Sequence, residues 1–265
     1  MPEKKPEPLI GIVTPVHNNE NTIKQTLNSI LNQTYKNFLI FVTDDHSTDN
    51  TKSIIQDLAK KDSRIIFQEL KNSTGAAAAR NAAIDAINKN KIIKYVAFLD
   101  GDDSWLKNKL KNQVNFMEEN KVVFSYGDYN IIDSNTNHNT KYRKSPKKMS
   151  YRRMLLGCSV GCLTVMYNKD IVGKITIPNL KKRNDYALWC VILKKVHRGA
   201  KYPGILANYS RNPSGISSGN KTRLIKYHYR MHRQSNHFDP FTSSFFTFTN
   251  IVNYIFNVTF WEKHK

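Results

Sequence analysis

The chain has 265 residues, and its content of 40% hydrophobic and 11% aromatic residues is typical of a globular protein. Its three cysteines, Cys158, Cys162 and Cys190, are too few for a disulfide framework and lack metal-ligand spacing, which predicts a reducing compartment. The net charge of +20 arises in one segment, because residues 1–133 hold 17 basic and 17 acidic residues whereas residues 134–233 hold 22 basic and two acidic residues. Such a segment attracts polyanions, although a solvated lysine-rich face is the alternative.

In chain order, short apolar runs alternate with helical patterns. Residues 1–8 lack the apolar core of a signal peptide and are predicted to be a disordered lead-in. The predicted strands are residues 9–14, 38–43, 64–67 and 95–99, and the predicted helices are residues 21–31, 49–58 and 76–87. This alternation predicts a parallel sheet covered by helices on both faces. Because Gly11 is alone in the first strand, a dinucleotide fingerprint and a P-loop are both disfavoured.

The fourth strand runs directly into Asp100-Gly101-Asp102-Asp103. Ligands of open α/β sheets bind outside the carboxyl ends of the strands, and clustered carboxylates suit Mg²⁺ or Mn²⁺ shared with nucleotide phosphates. The alternative is an acidic turn in which Asp103 or Ser104 caps a helix that starts near Leu106. Carboxylates also end the second strand, and Arg80 lies on the third helix. Together they predict a cleft for a metal-bound diphosphate and its base.

These motifs resemble those of the inverting family 2 glycosyltransferases, which have the nucleotide-sugar-binding GT-A fold. The resemblance covers residues 9–233 and rests on TPVHN at 14–18, TDDHSTD at 43–49, GAAAARN at 75–81, FLDGDDSW at 98–105, GCLTVM at 161–166 and RNDYALW at 183–189. The last two motifs are most similar to enzymes that build bacterial surface polysaccharides, such as the teichuronic acid glycosyltransferases. The implied organisation is a nucleotide-sugar-binding half at 9–133, a basic acceptor-side half at 134–233 and a helical extension at 234–265.

The resemblance also implies roles for individual residues. The nucleotide would be bound by Thr14, Pro15, Val16, Asn18, Asp44, Asp45, Arg80, Asp100 and Arg211. Asp100 and Asp102 match the metal-binding Asp-x-Asp of the family, with Asp102 as the expected ligand of Mn²⁺ or Mg²⁺ and Asp100 near the ribose. Asp185 matches the general base. Arg211 lies in a loop, residues 210–218, that resembles the flexible lid of the family but is equally an ordinary surface loop.

The chemistry of an inverting transfer agrees with the assignment of Asp185. Inversion needs a base opposite the leaving group, and a divalent ion neutralises the charge on a departing nucleoside diphosphate. Asp185 is one of only two acids in residues 134–233, and the adjacent Lys181, Lys182 and Arg183 favour its ionised form. The alternative is a carboxylate that only stabilises a helix N-terminus. The chain departs from the family pattern at His17, at His46 and at Asn184, which replaces an acid.

The C-terminal part bears on location. Residues 240–261 contain no charged residue and are rich in Phe, Thr and Asn, and residues 221–233 carry five Lys or Arg. Their polar content argues against a spanning helix and favours an interfacial helix or hairpin with aromatic anchors. A dimer contact or core packing is the alternative. We predict peripheral attachment to an anionic membrane at its cytoplasmic face, where a lipid-linked acceptor is available.

The predicted function is transfer of a sugar, with inversion, from a nucleotide sugar such as a UDP-sugar to a glycan or lipid-linked acceptor. A nucleic-acid-binding protein would leave the strand-end carboxylates unexplained, so no nucleic acid partner is expected. A nucleotidyltransferase would normally have a glycine-rich loop near the first strand. A catalytically inactive family member is a further alternative. Selectivity for the sugar is expected from loops such as residues 126–139.

Overall fold

The computed structural model describes residues 6–133, 139–211, 222–260 and 262–264. In the first hundred residues the predicted alternation of strands and helices is confirmed. The elements are β1 (Leu9–Val16), α1 (Ile23–Leu31), β2 (Phe38–Asp44), α2 (Thr51–Lys61), β3 (Ile65–Glu69), α3 (Ala76–Lys89) and β4 (Ile93–Phe98). β1 is parallel to both β2 and β4, and β2 is parallel to β3. The carboxyl ends of these strands therefore lie at one edge of the sheet.

The second half extends this sheet with strands of mixed direction. Its elements are β5 (Ser104–Trp105), α4 (Lys109–Glu119), β6 (Phe124–Asp133), β7 (Asn139–Arg143), β8 (Lys148–Ser150), α5 (Tyr151–Leu156), a 3₁₀ helix (Cys162–Thr164), β9 (Met166–Asn168), α6 (Lys169–Val172), α7 (Asn184–Val196), β10 (Arg198–Arg211), α8 (Thr222–Ser235), α9 (Pro240–Phe260) and β11 (Glu262–His264). β9 is antiparallel to both β4 and β6, so it joins the two halves. β10 is parallel to β6. The fold is α/β with an open mixed sheet, as predicted.

The hydrophobic core lies on both faces of the sheet. Alternate residues of a strand point to opposite faces, so Ile12 belongs to one cluster and Val13 to the other. The Val13 cluster includes side chains from α3 and α7, among them Trp189, whose ring meets Phe98 edge-on with centroids 5.2 Å apart. The Ile12 cluster includes side chains from α1 and α4. Apolar strands covered on both faces explain the continuous apolar runs in the sequence.

One alternative and one prediction drawn from the sequence are wrong in this region. Neither Asp103 nor Ser104 caps the next helix, because α4 begins only at Lys109 and residues 104–105 form β5, which pairs with β10. Residues 126–133 are not a selectivity loop, because they belong to the buried strand β6 between β9 and β10. Tyr126 is fully buried and its hydroxyl donates to the carbonyl of Pro146 at 2.8 Å.

The two ends of the chain also have defined features. Of the predicted lead-in, residues 1–5 lie outside the described residues, while the carbonyls of Glu7 and Pro8 accept hydrogen bonds from Asn37 and Tyr35 at 2.5 Å. At the other end α8 and α9 pack together, and α9 also packs on α5. Within the part of the chain that the structure describes, no helix combines the length and the apolar character needed to cross a membrane.

Candidate active site

Most of the predicted site residues lie at the edge where β1, β2 and β4 end. Those at this edge are Thr14, Pro15, Val16, Asn18, Asp44, Asp45, Asp100 and Asp102. The register places Pro15 opposite Thr43 and Val16 opposite Asp44, while Val13 is opposite Phe98 of β4. This edge is the position at which open α/β sheets bind ligands.

Asp45 holds the turn before α3 against the end of β2. Its carboxylate accepts hydrogen bonds from the Ser73 hydroxyl at 3.1 Å and from the backbone nitrogens of Thr74 at 2.7 Å and Gly75 at 2.8 Å. Gly75 has a φ of 93°, in the left-handed region that favours glycine. Asp45 therefore fixes the start of α3. The predicted contact of Asp45 with the nucleotide base stays a prediction.

Asp44 and Asn18 organise the turn that follows β2. The Asp44 carboxylate accepts hydrogen bonds from the hydroxyl of Ser47 and, at 3.2 Å, from its backbone nitrogen. Asn18 donates its backbone N–H to the Ser47 hydroxyl at 2.9 Å, and its side-chain oxygen accepts from the Thr48 nitrogen at 2.9 Å. These hydrogen bonds hold the segments that follow β1 and β2 together on one side of the cleft.

Arg80 links the two halves of the cleft. Its guanidinium is buried on α3, donates to Asp100 Oδ1 at 2.5 Å and donates to Asn184 Oδ1 at 2.7 Å. Burial lowers the pKa of Arg80, but the Asp100 and Asp185 carboxylates outweigh it and raise the pKa above its ordinary value. Arg80 is therefore a permanent cation between the end of β4 and the start of α7. The role of Asn184 was missed in the sequence, where it was noticed only as a departure from the family pattern.

Three carboxyl groups follow β4, and their environments differ. Asp102 is exposed to solvent, but the protein atoms packed around its carboxyl group and the nearby Asp100 raise its pKa to about 6. Asp103 is buried and accepts a hydrogen bond from the backbone nitrogen of Ser210 at 2.9 Å. Burial and the other two carboxylates raise the pKa of Asp103 well above its usual range. Asp103 thus ties the acidic segment to β10, a role that sequence reasoning missed.

Asp185 is the second residue of α7 and is half-buried. Within the described ranges its carboxylate accepts no hydrogen bond from another residue, so its oxygens are available to a ligand. The neighbouring Asn184 fixes its position, because Asn184 bonds to Arg80 and donates to the carbonyl of Leu180 at 3.2 Å. As an acid in the first turn of α7, Asp185 also interacts favourably with the helix dipole.

Cys162 completes the surroundings of the carboxylates. It begins the 3₁₀ helix before β9, within the GCLTVM motif of the sequence. Burial, followed by the charges of Asp100 and Asp185, raises the pKa of the Cys162 thiol well above its ordinary value. The thiol therefore stays protonated, so Cys162 is a neutral neighbour of Asp100 and Asp185 and not a nucleophile.

The donor set at the end of β4 fits a divalent cation that is shared with a ligand. In the described part of the chain no three His, Cys, Asp or Glu side chains converge enough to enclose a metal by themselves. Mg²⁺ at nucleotide sites, however, binds through one or two carboxylates together with water and phosphate oxygens. The exposed Asp102 offers a hard oxygen ligand. Burial, and after it the neighbouring carboxylates, raise the pKa of Asp102 and of Asp103, and a bound cation would offset the repulsion between these carboxylates.

Arg211 is the last residue of β10, where it is exposed and opposite Asp133 of β6. It lies at the end of the strand that Asp103 binds through Ser210. The rest of the proposed lid, residues 212–218, lies outside the described residues. The contact of Arg211 with a diphosphate stays a prediction.

Comparison with solved structures supports the GT-A fold. A mannosyltransferase of Pyrobaculum calidifontis, PcManGT, solved in complex with GDP-Man and Mn²⁺, superposes with a TM-score of 0.64. The match covers 92% of this chain and 70% of that protein at 15% sequence identity. At this identity the likeness concerns the fold, and it agrees with the predicted GT-A architecture.

Comparison of sequences identifies the family. The model of glycosyl transferase family 2 matches residues 11–172. TuaG of Bacillus subtilis, named as a teichuronic acid biosynthesis glycosyltransferase, is 35% identical over 228 residues, which cover 86% of this chain and 88% of TuaG. WfgD of Escherichia coli, named as a UDP-Glc:α-D-GlcNAc-diphosphoundecaprenol β-1,3-glucosyltransferase, is 38% identical over 221 residues, which cover 82% of this chain and 83% of WfgD. These matches show that this chain, whose cleft lies at the carboxyl ends of β1, β2 and β4, belongs to glycosyltransferase family 2.

Proposed function

We propose that this glycosyltransferase moves a sugar, with inversion, from a UDP-sugar to a glycan or lipid-linked acceptor in the biosynthesis of a bacterial surface polysaccharide. The names of TuaG and WfgD support the donor, the acceptor class and the pathway. The observation that carries the mechanism is the buried Arg80, which bonds to Asp100 and to Asn184. It brings the acidic end of β4 and the Asp185 end of α7 to one cleft.

The residues of the cleft divide the work between donor and acceptor. Asp102, with Asp100, would hold a Mn²⁺ or Mg²⁺ ion, which when bound neutralises charge on the leaving diphosphate. The solved complex of PcManGT with Mn²⁺ supports this cofactor. Thr14, Pro15 and Val16 border the nucleotide, and the walls fixed by Asp44 and Asp45 orient it without rearrangement.

Asp185 is proposed to take the proton of the acceptor hydroxyl. Inversion requires a base on the face opposite the leaving group, and within the described residues the half-buried Asp185 carboxylate accepts no hydrogen bond that would occupy its oxygens. Arg80 keeps Asn184, and with it the first turn of α7, in place. The acceptor class further implies that the reaction takes place at the cytoplasmic face of the membrane, with the enzyme attached there peripherally.

The test compares two acids of the basic segment. Asp185→Asn should lower kcat about 10²- to 10⁴-fold, as expected for loss of a general base, while UDP still raises the melting temperature. The matched control is Asp170→Asn in the exposed first turn of α6, which should keep kcat within about twofold. Transfer is followed with a panel of UDP-sugars and Mn²⁺, and the anomeric configuration of the product is read by NMR.

Each outcome of this test decides a separate part of the proposal. Equal turnover of Asp185→Asn and wild type would make the assignment of the base wrong. Binding of UDP without transfer from any UDP-sugar would favour the catalytically inactive family member. A retained configuration in the product would contradict inversion.

A further inference from the structure

The polarity of helix α9 is the reverse of that of a normal surface helix, because its exposed side is apolar and its buried side is largely polar. Its exposed side carries Phe241, Phe245, Phe248 and Ile255, whose exposed fractions are 84%, 53%, 64% and 60%. Its buried side carries Phe246, which packs against the core, but otherwise small polar residues, namely Ser243, Thr247 and Asn250, which are 0%, 5% and 3% exposed. A helix on the surface of a globular protein ordinarily buries its apolar side.

The four exposed residues form one stripe, called here the α9 stripe. Their spacings of four, seven and fourteen residues from Phe241 return to the same side of an α-helix. At 1.5 Å per residue the stripe is about 21 Å long. Monomeric proteins seldom expose a continuous apolar feature of this size unless it serves an interaction.

Hydrogen bonds fix the orientation of the inverted helix. Asn250 donates to the carbonyl of Leu155 at 2.8 Å, and Asn253 donates to the carbonyl of Leu156 at 2.7 Å, both at the end of α5. Thr247 donates to the carbonyl of Ser243 within α9 at 2.7 Å. Rotating α9 to bury the exposed phenylalanines would break the bonds to α5 and remove Phe246 from its contacts with His232 and Phe238. The stripe is therefore a stable feature of the surface.

The charge of the C-terminal part of the chain favours one occupant. No charged residue occurs between Asp239 and Glu262, and no acid occurs between Asp185 and Asp239, a stretch that holds ten Lys or Arg. On the adjacent α8, Lys226 and Arg230 are exposed. A second copy of this chain, with the same net charge of +20, would bring like charges together. An anionic lipid surface complements both the apolar stripe and the cations.

We propose that the α9 stripe inserts into the headgroup boundary of an anionic membrane, with the exposed cations of α8 bound to headgroup phosphates. The proposal rests on the proposed function only in that a lipid-linked acceptor makes the membrane the place of reaction. Insertion of the stripe supplies the apolar part of the binding, and α8 supplies the electrostatic part. The enzyme then works as a peripheral protein with a defined orientation.

The test measures binding of the full chain to vesicles of phosphatidylglycerol and phosphatidylcholine by co-sedimentation. The variant Phe245→Ser/Phe248→Ser should bind at least about tenfold more weakly than wild type, because two inserted rings are lost. The matched control is Ile92→Ser/Ile171→Ser, which removes two residues that are 78% and 60% exposed outside α9. The control should bind as tightly as wild type.

The possible results are distinct. Loss of vesicle binding in the α9 variant alone supports the proposal. No binding by wild type, or equal weakening by the control, overturns it. A wild-type dimer that the α9 variant dissociates, without vesicle binding, assigns the stripe to a second copy and also overturns it. Vesicle binding is read without transfer, and transfer to a water-soluble acceptor is assayed separately, so failure of the proposed function remains distinguishable.

Discussion

Asn184 sets the charge balance of the buried cluster at the centre of the cleft. Arg80 and Asp100 form an ion pair at 2.5 Å, and Asn184, which is 104 residues from Arg80 in the chain, supplies a neutral acceptor at 2.7 Å. An acid at position 184 would place a second negative charge directly beside Asp185, and the two would repel each other. Asparagine meets the hydrogen-bonding need of Arg80 without that charge.

We expect Asn184→Leu to damage both folding and turnover. Leucine has nearly the same size but no acceptor, so it leaves a buried Arg80 nitrogen unpaired, and the free energy of unfolding should fall by about 1–3 kcal/mol. Because α7 loses its link to α3, kcat should fall while the Kd of UDP changes little. Urea unfolding, steady-state kinetics and calorimetric titration with UDP measure the three quantities.

The control for this prediction restores the acceptor. Asn184→Asp keeps an oxygen in place for Arg80, so its stability should stay within about 1 kcal/mol of wild type. Full kcat in the leucine variant would show that Asn184 does not position the base. An equal loss of UDP affinity in both variants would place the effect in the donor site instead.

At the scale of elements, local patterns predicted the first four strands but not the second half of the sheet. β1, β2 and β4 are buried along nearly their whole length, and the half-buried edge strand β3 begins with Ile65, Ile66 and Phe67, so all four apolar runs are visible in the sequence. β6 contains Asp128 and Asn130, which resemble loop residues. Asp128 is paired with Lys201 at 2.8 Å and Asn130 with Asn208 at 2.9 Å, both on β10. Partners more than 70 residues away cannot be read from a local pattern.

The same reason explains what was missed in the candidate site. The acidic segment after β4 and the acid at the start of α7 could be predicted from motifs, because each lies within a few residues of chain. The contact of Asp103 with Ser210 could not be predicted, because the two residues are 107 positions apart in the chain. The bond of Arg80 to Asn184 was likewise invisible before the halves of the chain were brought together.

The attachment of α8 and α9 to the rest of the protein contains a buried histidine. His232 of α8 is 0% exposed, and its ring nitrogens contact the side-chain amides of Asn236 and Asn250, each at 3.3 Å. Its ring also lies near Tyr186 of α7 and Phe246 of α9. Burial lowers the pKa of His232 to about 4. The nearby His228 has its pKa lowered to about 3 by burial, Arg183 and His232.

Acidification should therefore loosen this attachment. A histidine whose pKa is lower in the folded state binds its proton more readily when unfolded, so its stabilisation is complete above pH 6.5 and is lost as the pH falls towards 4. For His232 the shift corresponds to about 3 kcal/mol of the free energy of unfolding at pH 4. Urea unfolding followed between pH 7 and pH 4 measures this loss.

Two variants separate His232 from general acid effects. His232→Gln should show a shallower dependence on pH than wild type, because the titrating ring is gone. His197→Asn is the control, since His197 is exposed and asparagine tolerates its φ of 62°. The prediction fails when wild type and His232→Gln lose stability equally over this range.

At the scale of the whole molecule, charge is divided between a neutral half and a basic half. Residues 1–133 carry equal numbers of acidic and basic residues, and the excess of +20 comes from residues 134–233. The carboxylates that follow β2 and β4 therefore lie in the neutral half. Asp185 lies in the basic half, at the start of α7, which packs on α8. Such an uneven distribution of charge creates an electrostatic field that turns the basic half towards an anionic surface before contact.

The last prediction tests that this orientation depends on particular cations. Lys226→Gln/Arg230→Gln on α8 should weaken binding to phosphatidylglycerol vesicles about thirtyfold, since each cation near such a surface contributes about 1 kcal/mol. Lys24→Gln/Lys61→Gln, which removes two exposed cations from the neutral half, should have little effect. Titration in 0.05 M and 0.5 M NaCl adds a second readout, because salt screens the cations but not the α9 stripe. When the salt is raised, the α8 variant should lose less affinity for the vesicles than wild type does. If the α8 pair and the Lys24/Lys61 pair of substitutions weakened binding equally, total charge alone would govern binding.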